Sequence, residues 1–184
     1  MTNKIGTLAE KSFHAHVKKH IEPNVSFHEI KQKNYVLDIF YGDKIIEIQS
    51  KQFFKLLPKL KTFIDDYPIT IVHPIPHIKY LSWFDFETQS YSEKRKSPKV
   101  GKITDGIEEL YSIKQLLSHP HLSIHFIFFD VLETRYLNGW SLDKKKGSTR
   151  EDRIPTDYIK TIEFNKIEDY DQFLPQDLKE AVTK

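Results

Sequence analysis

Residues 36–51 read VLDIFYGDKIIEIQSK. Two apolar runs, Val36-Leu37 with Ile39-Phe40 and Ile45-Ile46 with Ile48, flank a Tyr41-Gly42-Asp43 turn, which is the pattern of a β-hairpin. Strand side chains alternate between two faces, so Glu47 and Gln49 share one face and Ile46 and Ile48 the other. Asp38 lies on the preceding strand, across the turn, where it can sit beside them. Two acids side by side on neighbouring strands repel unless a cation separates them. The hairpin therefore demands a covered sheet, and it demands that its acids either face solvent or meet something positive.

The elements around it are legible to different degrees. Residues 3–21 carry apolar positions such as Leu8 and Ala15 at helical spacing, and Pro23 ends the pattern. Ser26–Lys31 alternates as a strand and leads through a Gln32-Lys33-Asn34 turn into the hairpin. QFFKLLPKLKTFID, residues 52–65, returns to three-and-four spacing; Pro58 either kinks this helix or opens its second half. Ile69–Val72 is a short β-branched strand. Beyond it the spacing predicts an aromatic-rich strand over Ile78–Phe86 and a basic, turn-rich loop over Ser90–Lys102. A helix follows, capped by Thr104 and running to about Ser118. Ser123–Leu132 is the most hydrophobic strand and belongs at the centre of the sheet, and Tyr158–Phe164 reads as a last strand. GSTREDRIPTDYI, residues 147–159, has Ser148 or Thr149 before acids as at a helix start, but is too short to claim as a recognition helix. With no Gly/Ser linker, the reading is one α/β domain. Residues 1–75 form a core carrying the site, and residues 76–184 continue it with basic loops and a strand-rich C-terminal extension.

Composition excludes several classes. Of 184 residues, 39% are hydrophobic and 29% charged, a soluble globular balance. No run of about 18 apolar residues suggests a membrane span, and the N-terminus lacks an apolar leader core. Zero cysteines exclude disulfides and thiolate metal sites, which fits a cytoplasmic protein. The net charge of +2 is too small to announce a nucleic-acid binder, but the cations are local. Lys94, Arg95, Lys96 and Lys99 form one block, with Lys102 close by; Lys144, Lys145, Lys146 and Arg150 form another, with Arg153 after it. Such blocks are solvated loops unless they meet a polyanion, whose phosphates they bind with release of counterions. The histidines of HPIPH and HPHLSIH are separated by prolines and loop sequence, so they read as surface or packing residues rather than a zinc set.

Glu10, inside IGTLAEKSFHAHVK, adds a third carboxylate on a helix that must pack on the hairpin's sheet. Clustered carboxylates call for an oxygen-ligated ion such as Mg²⁺, held by one or two acids with water and phosphate completing the shell. An ion so placed activates water and stabilises charge on a phosphodiester. Gln49 is placed to orient the attacking water, and Lys51 to supply a cation.

Glu10, then Asp38, then Glu47-Ile48-Gln49, on an order of helix, three strands, helix and strand, resembles the PD-(D/E)xK nuclease superfamily. That resemblance covers roughly residues 3–73. It implies a restriction-endonuclease-like core and Mg²⁺- or Mn²⁺-dependent hydrolysis of DNA, duplex or branched. Asp38 matches the first metal acid, Glu47 the second and Glu10 the helix acid. Gln49 stands where the motif lysine usually does, and the resemblance implies that Lys51 serves instead, since that lysine migrates in this group. Such nucleases often cut both strands as homodimers, although no dimer surface is legible here. Two alternatives stay open: a non-catalytic nucleic-acid-binding module on the same fold, which Gln49 favours, and a protein-interaction domain whose acids are surface residues.

Overall fold

The structure is a computed structural model that describes residues 5–138 and 148–174, with side chains from Ser12 onward. In chain order its elements are α1 (Ile5–Ile21), β1 (His28–Gln32), β2 (Tyr35–Phe40), β3 (Ile45–Ile48), α2 (Leu57–Phe63), β4 (Ile69–Asp85), β5 (Ser90–Tyr91), β6 (Arg95–Val100), α3 (Ile107–Ser112), β7 (Leu122–Tyr136) and β8 (Arg150–Phe164). They make an α/β protein with a mixed eight-stranded sheet in the order β1-β2-β3-β4-β7-β8, with β5 and β6 both paired to β4. No helix among the described residues is long and apolar enough to cross a membrane. Contacts group the chain into two units. One holds the chain up to Pro23, Pro76–Gly101 and Phe128–Lys160; the other holds Asn24–Ile75, Lys102–Ile127 and the chain from Thr161 on.

The second unit contains the hairpin. β1, β2 and β3 form an antiparallel meander, with Ile30 opposite Leu37 and Ile39 opposite Ile46. Leu37 and Ile39 are buried on one face of β2, the alternation read from sequence, whereas Ile45, Ile46, Glu47 and Ile48 of β3 are all buried, so that strand is covered on both faces. β4 then runs parallel to β3, with Glu47 opposite Ile71 and Ile48 opposite Val72. A parallel neighbour requires a crossover, and the segment from Gln52 to Tyr67 supplies it. A 3₁₀ turn over Phe53–Leu56 leads into α2, and Pro58 sits in the first turn of α2, where its missing N–H costs nothing. Leu60 and Phe63 bury the inner face of α2. The helix expected from Thr104 to Ser118 is instead a 3₁₀ turn, the six-residue α3 and a second 3₁₀ turn. Ile113, at φ −117° and ψ 16°, leaves helical geometry while its side chain is fully buried.

The two strands expected at Ile69–Val72 and Ile78–Phe86 are one strand, β4, which passes through Pro74 and Pro76. Ile69 N–H bonds toward β7 (His121 O, 2.7 Å), while Val72 O accepts Gln49 N–H at 2.9 Å on the β3 side. Even-numbered backbone groups in this stretch thus face β3. β3 stops opposite Val72, and pairing of β4 with β6 starts only at Ile78, which lies opposite Val100, so both prolines fall in the interval between the two partners.

In the first unit, Phe13 and Val17 of α1 are buried. The Ser90–Lys102 stretch, expected as loop, contains β5 and β6. β8 starts at Arg150, eight residues before the strand expected from Tyr158, so from there on the GSTREDRIPTDYI stretch is strand and not helix. Tyr136 N–H bonds to Thr149 O at 2.9 Å where β7 gives way to β8.

Candidate active site at a strand fork

Asp38 and Glu47 come together where β2 and β3 part. The paired rungs end at Ile39–Ile46, and the next rung by register would join Asp38 to Glu47. In its place Asp38 Oδ2 accepts the backbone N–H of Ile48 at 2.9 Å. A side chain thus substitutes for backbone pairing, and the strands splay into a fork.

Lys59 fills that fork. Its ammonium donates to Val36 O at 2.8 Å on β2 and to Glu47 Oε2 at 2.6 Å on β3. Glu47 is 2% exposed. Burial, reinforced by the neighbouring Asp38 charge, pushes its carboxyl up to about 7 even though Lys59 works the other way. Its second oxygen, Oε1, is buried and has no hydrogen-bond partner among the described residues. A carboxylate half satisfied in this way is costly, and a cation or a bound water at Oε1 would relieve it.

The remaining expected site residues are placed as follows. Gln49 lies just past the end of β3, and its side-chain amide donates to the Lys51 carbonyl. Lys51 is exposed in the bend beyond the strand, so it does not continue the face of Glu47; the cation beside Glu47 is Lys59. Glu10 is on α1, in the other unit, and its side chain lies outside the described residues. His73 donates from Nδ1 to Gln49 O at 2.9 Å and packs edge-on against Phe53, with ring centroids 5.3 Å apart. Burial holds its pKa below the usual histidine range, which makes it a neutral packing residue.

Lys59 was missed in the sequence, although a signal existed. It shares a helical face with Leu56 and Phe63, three residues before and four after it, and both are buried. A lysine on the apolar stripe of a short helix must find a buried partner or reach solvent along its stem.

The basic blocks divide. Lys94, Arg95, Lys96 and Lys99 are exposed, the last three on β6. Lysines and Pro98 on an outer strand also blunt edge-to-edge association, which is a structural reason for them. Lys144, Lys145 and Lys146 lie outside the described residues. Arg150 lies against the buried carboxylate of Glu133.

Among the described residues no three His, Asp or Glu side chains gather into a ready metal cage. Mg²⁺ does not require one, since two carboxylates with water and phosphate suffice. Asp38, Glu47 and the partnerless Oε1 fit that requirement.

The family model described as Domain of unknown function (DUF8091) matches residues 11–165, most of the chain. The chain belongs to that family. The match spans the hairpin, the fork and all eight strands. A Treponema pallidum (strain Nichols) protein, described as an uncharacterized protein, is 27% identical over 147 residues, which is 79% of this chain and 56% of the relative. The chain thus spans little more than half the length of that relative. No solved structure matches it.

Proposed function

We propose that the fork is the metal site of a Mg²⁺-dependent deoxyribonuclease of PD-(D/E)xK type on a restriction-endonuclease-like core, with Lys59 in the role of the motif lysine. The observation that carries this reading is the half-satisfied Glu47 carboxylate beside Asp38, with a lysine on its other oxygen. Asp38 and Glu47 would hold the ion, which would supply a Lewis acid and a water of lowered pKa. The chain's own groups do the remaining work. The Lys59 ammonium sits in the fork against Glu47 Oε2 and Val36 O. There it can orient a water or carry the charge that builds on phosphate oxygens as water attacks phosphorus and the P–O bond breaks. The ion pair with Glu47 keeps that ammonium in place beforehand. Gln49 is left to shape the turn after β3. Exposed Arg95, Lys96 and Lys99 would give sequence-independent contacts to a DNA backbone.

The second reading, a binding module without chemistry, is favoured by Lys59 itself, because an ammonium at 2.6 Å already supplies a positive partner to Glu47. Incubation with linear, supercoiled and branched DNA in Mg²⁺ and in Mn²⁺ separates the two. The nuclease reading expects cleavage that Asp38→Asn and Glu47→Gln abolish, and that Lys59→Met lowers by roughly 10²–10³ in kcat while leaving DNA binding intact. DNA binding without cleavage under either ion establishes the second reading.

A further inference from the structure

A cavity of about 270 Å³ lies in the unit that does not hold the fork, between the last turns of α1 and β8, the strand at one end of the described sheet. Its lining includes His16, Lys19 and His20 of α1, Phe129 of β7, and Asp157 and Tyr158 of β8. The apolar walls are three rings that brace one another. Phe129 is buried, and His20 stands edge-on to it with ring centroids 5.1 Å apart. His20 also stacks on Tyr158, with centroids 5.2 Å apart and ring planes 27° from parallel. Rings held in this way have little freedom left to lose when a flat ligand lies against them.

The polar lining is of two kinds. His16 is committed within its own helix: its Nδ1 lies 2.8 Å from Ser12 O, and a carbonyl only accepts, so that nitrogen donates. Lys19 and Asp157 are both exposed, and among the described residues neither has a hydrogen bond, an ion pair or a ring contact. An ammonium and a carboxylate therefore line one small cavity without pairing with each other.

That pair restricts the ligand. A simple anion is drawn by Lys19 and repelled by Asp157, and a simple cation meets the reverse. A ligand that uses both must present an acceptor beside a donor, and one that uses the ring walls must be flat. The volume equals that of about nine liquid waters, which suits one ring system and not a whole nucleotide. A nucleobase meets all three conditions, since bases stack on aromatic side chains and are read by hydrogen bonds along their edges. Guanine suits the pair best. Its adjacent N1–H and N2–H groups offer a carboxylate two parallel hydrogen bonds, and its O6 and N7 are acceptors for a lysine.

From this geometry we infer that the cavity binds an unpaired guanine base. Asp157 accepts from N1–H and N2–H, Lys19 donates to O6 or N7, and the His20, Phe129 and Tyr158 rings supply the walls. The site does not depend on the reading of the Asp38–Glu47 fork, since it uses other residues in the other unit.

The test is a set of saturation-transfer NMR titrations of the full chain, without divalent ions, with guanosine, inosine and phenylalanine. Guanosine is expected to bind. Inosine lacks only the N2 amino group and should bind roughly tenfold or more weakly, the loss expected when one hydrogen bond to a charged group is removed. Asp157→Asn should weaken guanosine by at least as much and erase its preference over inosine, whereas Lys19→Gln should weaken both nucleosides alike. Both substitutions replace exposed side chains that no described residue holds, so the fold is kept. A DNA hairpin with guanine in its loop then identifies the source of the base. If it displaces guanosine and a fully paired duplex does not, the ligand is an unpaired base in a strand; if neither does, it is a free nucleoside. Absent guanosine binding, equal binding of inosine, or guanosine binding undiminished in Asp157→Asn overturns the proposal. Displacement of guanosine by phenylalanine also overturns it, because the cavity then reads a zwitterion. Asp38→Asn and Glu47→Gln should leave guanosine binding unchanged, which separates this result from the fate of the nuclease reading.

Discussion

Glu47 and Glu133 are both buried carboxylates, and their surroundings drive ionisation in opposite directions. Burial dominates at Glu47, where one lysine is not enough, and its carboxyl rises to about 7. At Glu133 burial also disfavours the charge, but Arg153 and Arg150, with the Arg153 hydrogen bond, hold the carboxyl down at about 2. A carboxyl whose pKa falls on folding adds stability above its unfolded value, here 4.5, and loses it as pH drops toward 2. A shift of that size corresponds to about 3 kcal/mol. Glu133→Gln should therefore cost roughly 3–5 kcal/mol at neutral pH, as expected when one partner of a buried ion cluster is removed. Urea unfolding of wild type and Glu133→Gln across a pH series checks the sign. The gap should shrink between pH 4.5 and 2, and a gap independent of pH would show that the arginines do not stabilise the ionised form. The two sites differ in how far the sequence announced them. Asp38 and Glu47 stood out because they interrupt apolar runs across one short turn. Glu133, inside VLETRY, looks like the outward residue of an alternating strand, and apart from Arg135, two residues on, its cations come from β4 and β8, far away along the chain.

At the scale of elements, the meander and the start of α2 were legible because their signals are local: period-two alternation, a Gly42 turn, a proline at a helix start. β4 was not, because Pro74 and Pro76 normally end strands, and the gap between β3 and β6 that admits them is a tertiary fact. The 3₁₀ turn before α3 carries a similar hidden constraint. A Cβ at Gly106 would fall 2.3 Å from Cζ of Phe126, a fully buried ring that also meets His73 and Phe164 at centroid distances of 5.0 and 5.2 Å. Gly106→Ala should therefore destabilise by about 1–3 kcal/mol or more through overpacking, even though Ala is the better helix former. Gly42 makes the comparison: its φ is +94° and nothing lies within 4 Å of its Cβ position, so Gly42→Ala strains only the turn. Melting curves of the two variants should show the larger loss at Gly106. Equal losses would mean that the Phe126 ring moves aside at little cost.

At the scale of the molecule, a sequence displays contiguity and a fold displays proximity, and here the two diverge. Reading along the chain makes residues 1–75 a natural block, because they hold the whole helix-strand-helix-strand order of the fork. Proximity distributes that block over both units, each of which is built from three separate chain segments. Within the unit that holds the fork, His73 packs on Phe126, Ile69 N–H bonds to His121 O, and Phe53 N–H donates to Glu109 at 3.0 Å. All three partners lie beyond residue 75. A fragment ending there leaves the outer edge of β4 unpaired and removes the aromatic cover from the turn that follows β3. Chains below about 70–80 residues rarely bury enough apolar surface to tolerate such losses. The fragment 1–75 should therefore lack a cooperative thermal transition and give poorly dispersed amide NMR signals, while the full chain gives both. A dispersed, cooperatively melting fragment would mean that the fork is held by the meander and α2 alone. In that case Asp38, Glu47 and Lys59 would form a self-supporting site, and Asp38→Asn and Lys59→Met should perturb the fragment's spectrum only around the fork.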